Sequence, residues 1–260
     1  MHKKYIDLLI CYIKINFAAM EVYDKDFIFG IIAMLVNYAA GILSLFFIFE
    51  FVHEINGWTL QQVLFMYGLN LTGYSLWSCF FINTITLPYY IRNREFDKFL
   101  LRPVEPIFQI MMDGFDDDSW GELIVGIIVL AYSWISLKIP ALYALFIPVV
   151  TVSGCLVYAG MSIALSTVSF FTIAQADVAN LTNQIKELAQ YPISIYPKVI
   201  RIIFTFLCPV AFIAFIPSLI VFHMVNVWVI LAIPLVSLIF FLLSVRIWKI
   251  GVKHYGGTGT

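Results

Sequence analysis

Charge is the property this sequence has least of. Only 12% of its 260 residues are Asp, Glu, Lys or Arg, whereas 62% are hydrophobic, and the mean hydropathy is +0.94. A soluble domain carries about a quarter charged residues, so this chain has too few to cover a surface in water. The net charge is −1, whereas proteins that bind nucleic acids have an excess of basic residues, so no nucleic-acid partner is expected. The composition therefore predicts a polytopic membrane protein.

Sequence motifs of catalysis and metal binding are also absent. The four cysteines are far apart with no CxxC spacing, so neither disulfides nor a zinc site are expected. No HExxH, GxSxG or GxxxxGK[ST] occurs, so neither a zinc peptidase, a serine hydrolase nor a P-loop ATPase is predicted. We expect no catalytic residue, metal or cofactor in this chain, and if ATP drives it, Mg-ATP binds to a partner. No signal peptide is predicted, since Lys3 and Lys4 precede a stretch that contains Asp7 and Lys14.

Runs free of charge predict the membrane-spanning helices. A bilayer core of about 30 Å requires about 20 helical residues. The expected fold is all-α and integral to the membrane, with six transmembrane helices over 27–49, 62–87, 121–138, 141–167, 199–219 and 227–246. Residues 3–20 precede them and place Ile6, Ile10 and Phe17 on one face, which predicts an amphipathic helix in the membrane interface. The alternative is a helix that packs on the protein itself.

Placement of basic residues predicts the orientation. Cytoplasmic loops hold the excess of Lys and Arg, and with the N-terminus inside, all 15 basic residues except Lys138 fall on the inner side. Both termini are therefore predicted to be cytoplasmic, in a multi-pass protein of the cell (plasma or inner) membrane. The predicted order within a single domain, 1–260, is 1–26 interfacial elbow helix, 27–87 spans one and two, 88–120 cytoplasmic segment, 121–167 spans three and four, 168–198 cytoplasmic amphipathic segment, 199–246 spans five and six, and 247–260 cytoplasmic tail.

Polar side chains in the second span are the candidates for a substrate path. Groups that hydrogen bond need partners inside a bilayer, so they face other helices or water. We expect one set to approach a central cavity or the seam between two permease chains: Asn70, Tyr74, Trp77, Ser78 and Asn83. Hydrogen bonding between helices is the alternative. No acid, Lys or Arg is expected deep in any span, which argues against ion-coupled carriers and membrane-embedded hydrolases.

An acidic run precedes the third span. Asp116, Asp117 and Asp118 are followed by Glu122, a pattern that suggests either a metal site or the start of a helix. We favour the helix start, because carboxylates complement the positive end of the helix dipole and Ser119 is a suitable cap.

The densest group of charges is the segment 92–103, RNREFDKFLLRP. Phe96, Phe99 and Leu100 share one face of a short helix, with Asn93 as its N-cap and Pro103 as its end. So short a helix is unstable alone in water, and we expect it to dock on a soluble partner through Arg94, Glu95, Phe96, Asp97, Lys98, Phe99 and Arg102. The shared apolar face either points inward to the ends of spans two and three or anchors in the partner's groove.

The order of these features resembles the ABC-2 type permeases, and most closely the ABC-2 family transporter proteins. The resemblance rests on the segment 95–103 (EFDKFLLRP), on Tyr191 and Pro192 followed by Arg201, Thr205 and Pro209, and on Trp248 and Tyr255 before the tail 256–260. Arg94 stands where that family usually has glycine.

This resemblance implies a type V exporter-like fold and half of an ATP-driven exporter. Two permease chains, as a homo- or heterodimer in membrane lipids, would work with two copies of an ABC ATPase subunit, and 92–103 would be the coupling helix. Substrates of the class include drugs, peptides, lipids and glycans. The alternatives are an ATP-independent channel or facilitator and a non-transport membrane protein such as a scaffold or a lipid-modifying enzyme. Co-purification with a P-loop ATPase separates the first function from the others.

Overall fold

A computed structural model describes residues 2–22, 24–171 and 177–255, and within these ranges the chain is helical with no β-strand. Residues 172–176 of the predicted segment 168–198 and the tail 256–260 lie outside them. The helices are α1 His2–Val22, α2 Asp24–Phe51, α3 Leu60–Phe81, α4 Leu87–Arg92, α5 Asp97–Leu100, α6 Pro106–Met111, α7 Ser119–Ser136, α8 Ile147–Thr167, α9 Val178–Ala189, α10 Lys198–Ile202, α11 Phe215–Val221 and α12 Ala232–His254.

Four helical stretches are long and apolar enough to cross a membrane. They are Phe27–Phe51, Ser119–Ser136, Ala141–Phe170 and Val227–His254. A further candidate is the pair Lys198–Leu207 and Val210–Val221, which is bent by 76°. Length and composition thus support four or five spans among the described residues, and the count of six stays a prediction.

The centre of the bundle is α3, which is too polar to join that group although its 22 residues match the bilayer in length. It lies between α7 and α8, and nearly every side chain from Val63 to Cys79 is buried. Glycines allow this close packing, since a Cβ on Gly68 would lie 2.9 Å from the backbone nitrogen of Leu130 in α7. Surrounded by protein, α3 can carry hydroxyls and amides that lipid would not solvate.

Helix α9 lies along α3 in the opposite direction. Tyr74 in α3 donates a hydrogen bond to Asn183, and Asn70, one turn earlier, donates to the backbone oxygen of Lys186. Beyond α9, the backbone oxygen of Ser194 accepts a hydrogen bond from Asn56, in the loop before α3. Charge placement assigns Asn56 to the outer side and 168–198 to the inner side. The two assignments are incompatible because Asn56 and Ser194 are in contact.

The bent pair that follows α9 returns to the end of the bundle where it began. It starts beyond Ser194, approaches the middle of α3 where Ile213 meets Gly73, and then Phe222 contacts Trp58 beside the Asn56 loop. The predicted span 199–219 would instead connect opposite ends. The break falls at Pro209, whose ring and missing N–H interrupt a helix. Hydropathy alone cannot distinguish a chain that turns back from one that crosses the membrane, because the same apolar residues give the same average in both cases.

The opposite end of the bundle, here called the α5 end, gathers α1, α4, α5, α6 and the end of α12. Tyr5 and Tyr12 of α1 pack on Phe108, and Asn16 donates a hydrogen bond to the backbone oxygen of Met112. Ile6 is exposed. One side of α1 therefore packs on the chain while an apolar part stays free, and the interfacial position stays a prediction.

Side-specific labelling tests this arrangement. In a variant without native cysteines, single cysteines at Glu54, Ile195 and Met224 should react with an impermeant thiol reagent from the same side. A cysteine at Lys98, on the α5 end, should react only from the other side. Labelling of Ile195→Cys together with Lys98→Cys would contradict the course described for α9.

Candidate functional site

A polar chamber lies beside the central helix. It has a volume of about 600 Å³ and is bounded by α2, α3, α7 and α9. Each of these helices contributes polar side chains: Tyr38 from α2, Asn70 and Tyr74 from α3, Glu122 from α7 and Lys186 from α9. The helices meet here through polar groups although the surrounding bundle is apolar.

A buried ion pair forms the wall of the polar chamber. The Nζ atom of Lys186 lies 2.7 Å from Oε1 of Glu122, and the two side chains are only 15% and 3% exposed. The Tyr38 hydroxyl donates to the same carboxylate oxygen at 2.6 Å and accepts from Lys186 Nζ at 2.7 Å. Two charges out of water are tolerated when they are paired and hydrogen bonded, as here.

Aromatic faces complete the surroundings of the Lys186 ammonium. Its nitrogen lies 3.9 Å from the centre of the Tyr74 ring and 4.9 Å from that of Tyr38. The negative face of a phenol ring attracts a cation, and the attraction strengthens when water is excluded. The polar chamber therefore stabilises the Lys186 ammonium through two rings as well as a carboxylate.

Amide groups fix the backbone of α9 on this wall. Asn70 donates to the backbone oxygen of Lys186 at 3.0 Å and accepts from the Tyr158 hydroxyl at 2.7 Å. Tyr74 donates to Asn183 at 2.7 Å. Because α9 has only 12 residues, tertiary contacts of this kind must stabilise it.

The acidic run contributes one carboxylate to the polar chamber. Asp116 accepts hydrogen bonds from Ser78 in α3, at 2.9 Å, and from Ser119. Ser119 is therefore not the cap that was predicted: the N-cap of α7 is Asp118, which makes no side-chain capping bond. Burial, then the neighbouring carboxylates, raises the pKa of Asp117 and of Asp118. Among the described residues no cluster of three or more metal-binding side chains occurs.

Three of the five predicted path residues meet at the polar chamber, namely Asn70, Tyr74 and Ser78. Trp77 is buried against the rings of Tyr74 and Tyr158 instead. Asn83 lies nearer the α5 end and donates to the backbone oxygen of Gly114 at 2.6 Å.

Sequence reasoning missed the charged groups of this site. Glu122 was assigned to the start of a helix and Lys186 to a cytoplasmic segment, and no charge was expected deep in a span. One signal in the sequence could have located them. Asn183 and Lys186 are three residues apart and so share a polar face of α9, and α3 has a polar face of its own. Two polar helices of one membrane protein satisfy each other when they pack together.

The segment 92–103 differs locally from its prediction. Asn93 is the C-cap of α4 and not the N-cap of a following helix. Arg94 has φ of 61°, a left-handed conformation that favours glycine. There the chain turns, and the backbone N–H groups of Glu95 and Phe96 both donate to the oxygen of Tyr90. The helix itself is one turn long, Asp97–Leu100.

The apolar face of this segment points inward. Phe96 and Phe99 are buried, and Phe96 packs its ring on Phe170, Trp248 and Tyr255. Phe170 lies in the turn just after α8, Trp248 lies near the end of α12 and Tyr255 directly follows it, so none of them belongs to the ends of the second and third spans. The two phenylalanines thus attach the segment to its own chain.

Other side chains of the segment remain free. Leu101 is 86% exposed and Leu100 43% exposed, and Arg94 and Arg102 are exposed around them. The Gln109 amide donates to the backbone oxygens of Phe99 and Val104, so the chain on either side of this tip is held in place.

Two phenols lie close to the segment. Burial, then the hydrogen bond it donates to Asp113, raises the pKa of Tyr90 to about 12. Burial, then a hydrogen bond with Asp97, raises the pKa of Tyr255. Both hydroxyls therefore stay protonated at neutral pH and remain hydrogen-bond donors.

Comparison with known proteins identifies a family. A family model described as ABC-2 family transporter protein matches residues 35–259. No curated protein and no solved structure matches the chain.

Removing one partner of the buried pair should destabilise the protein. Lys186→Met leaves the Glu122 carboxylate unpaired, which costs about 3–5 kcal/mol and lowers the midpoint of thermal unfolding by roughly 10 °C. The double variant Lys186→Met with Glu122→Gln should recover most of that loss. The matched control is Lys249→Met, which breaks the exposed 3.7 Å pair with Glu105 and should change stability by less than about 1 kcal/mol. Equal effects at Lys186 and Lys249 would contradict a structural role for the buried pair.

Proposed function

The chain belongs to the ABC-2 family of transporter proteins, and from that premise we propose that it is the permease subunit of an ATP-driven exporter. It forms the translocation path with a second permease chain, identical or different. Two separate ABC ATPase subunits bind Mg-ATP and supply the energy. The chain itself is a membrane component of transport and not an enzyme.

The arrangement of helices supports a definite course through the cell membrane. The proposed crossings are α2, α3, α7, α8, the segment around α9, and α12, and the bent pair enters and leaves on the outer side. This retains six crossings and assigns the fifth to the segment around α9, which is hydrogen bonded to α3 through Asn183 and the backbone oxygen of Lys186. The α5 end is cytoplasmic, because it carries most of the basic residues, including Arg92, Arg94, Lys98, Arg102 and Lys249.

The main support for a coupling role is that the segment 92–103 is attached to the long helices of its own chain. Phe96 joins it to the ends of two long helices, α8 and α12, through a cluster of packed rings. Close-packed side chains transmit displacement instead of absorbing it. A movement imposed on the exposed tip would therefore reach both helices.

The exposed tip indicates the chemistry of the ATPase surface. Leu101 is nearly fully exposed, and Arg94 and Arg102 are exposed beside it. An apolar pocket for leucine with an acidic rim for the arginines is the complementary partner surface. The docking residues are thus Leu100 and Leu101 with the basic residues, whereas Phe96 and Phe99 hold the segment in position.

The exposure of α2 supports a second permease chain. Only 6% of the most apolar 18-residue stretch of α2 is buried inside the protein, whereas 44% of the corresponding stretch of α7 is buried. This helix forms one wall of the polar chamber, so a chain that packs on α2 would close the chamber from the side. The path then lies between two permease chains.

Substitution at the tip separates docking from folding. Leu101→Asp should lose about 2 kcal/mol of apolar burial at the ATPase, so that association weakens roughly thirtyfold while thermal stability is unchanged. Phe96→Ala should instead lower the stability of the permease by about 3–5 kcal/mol. The measurement is recovery of a P-loop ATPase with the tagged chain from its own membranes, alongside thermal unfolding of the purified chain.

Met224→Asp is the matched control, since it makes the same kind of change at an exposed apolar residue of the opposite end. It should leave the recovery of ATPase unchanged. If Leu101→Asp recovers as much ATPase as the parent, the tip is not the docking surface. If the parent itself recovers none, the chain works without an ATPase, as a channel or facilitator would.

A further inference from the structure

We propose that the polar chamber binds an organic cation with an apolar body. The inference names the substrate class of the path, and its transport role rests on the proposed function, whereas binding itself does not.

The charge of the lining is the first argument. Three carboxylates line the polar chamber, those of Asp116, Glu122 and Glu187, against the single ammonium of Lys186. Lys186 pairs with Glu122, which leaves two of the three carboxylates uncompensated. Within the described chain, no Lys, Arg or His forms an ion pair with Asp116 or Glu187. Asp116 is instead solvated by the hydroxyls of Ser78 and Ser119.

The position of Lys186 is the second argument. Its ammonium rests on the faces of Tyr74 and Tyr38 and against a carboxylate. Lys186 thus shows how this chamber holds a positively charged nitrogen: the ring faces attract the charge, and the carboxylate oxygen accepts a hydrogen bond from the N–H. Tyr67, a third phenol, also lines the chamber beside these groups. An anionic ligand would meet the uncompensated carboxylates, while the one lining cation already has its carboxylate and hydroxyl partners.

The surface next to the polar chamber accounts for the apolar body. Ser44 of α2 lines the polar chamber and also belongs to an open apolar surface of the same helix, formed by Leu43, Phe46 and Phe47. A ligand with its charge between Asp116 and Tyr74 can therefore extend apolar groups along α2. Glu50 at the far end of that surface is again acidic. The route thus offers negative charge at both ends and hydrocarbon between them.

Two probes of nearly the same shape and opposite charge test the inference. Tetraphenylphosphonium and tetraphenylborate are titrated into the purified full chain in lipid nanodiscs, with empty nanodiscs subtracted. We expect saturable binding of the phosphonium and none of the borate. Asp116→Asn should weaken phosphonium binding roughly tenfold, because it removes one of the two uncompensated negative charges that line the polar chamber. The asparagine oxygen can still accept from Ser78 and Ser119, so folding should be retained.

Glu187→Gln provides a second variant at an exposed position and should also weaken binding several-fold. Glu105→Gln is the matched control, since it removes a carboxylate at the α5 end and should leave phosphonium affinity unchanged. Equal affinity of the parent, Asp116→Asn and Glu187→Gln, or tighter binding of the borate, would overturn the inference. The titration requires no ATPase. Failure to recover an ATPase would therefore count against the proposed function alone, and loss of charge selectivity against the cation site alone.

Discussion

The pairing of Lys186 with Glu122 is the constraint on which the centre of this protein depends. An unpaired charge in a water-poor bundle costs several kcal/mol, so α7 and α9 must meet wherever their charges are buried. Tyr38 bonds to both groups and brings α2 to the same place. The amides of Asn70 and Asn183 then align α9 with α3. One polar junction thus positions four helices and leaves a cavity between them.

Two parts of this protein, the α5 end and the polar chamber, are held together by different physical means. At the α5 end, packed rings around Phe96 attach the segment 92–103 to α8 and α12. At the polar chamber, α9 is held by a few directional bonds to hydroxyl, amide and carboxylate groups. Packed rings resist displacement, whereas hydrogen bonds and ion pairs exchange partners between discrete arrangements. A movement of the segment 92–103 would therefore change the packing mainly at the polar chamber, where the contacts of α9 are polar.

The packing around the polar chamber also explains how the central helix can carry so many hydroxyl and amide groups. A span that faced lipid could not carry Asn70, Thr72, Tyr74, Ser75 and Ser78 within nine residues without cost. Because α7, α8 and α9 cover α3, these groups find partners inside the protein. Several of the side chains that line the polar chamber, Asn70, Tyr74 and Ser78 among them, also form the hydrogen bonds that hold the helices together.

The sequence by itself determined the membrane class, the four most apolar spans, the family and the location of the segment 92–103. Each of these depends on composition or on residues adjacent in the chain. Only the tertiary structure decided that Phe96 points inward, that the run around Pro209 turns back, and that α9 lies against α3. The partners Glu122 and Lys186 are 64 positions apart, and hydropathy treats each as a polar residue to be kept out of the membrane. Whether a charge is buried depends on a partner that arrives only when the chain folds.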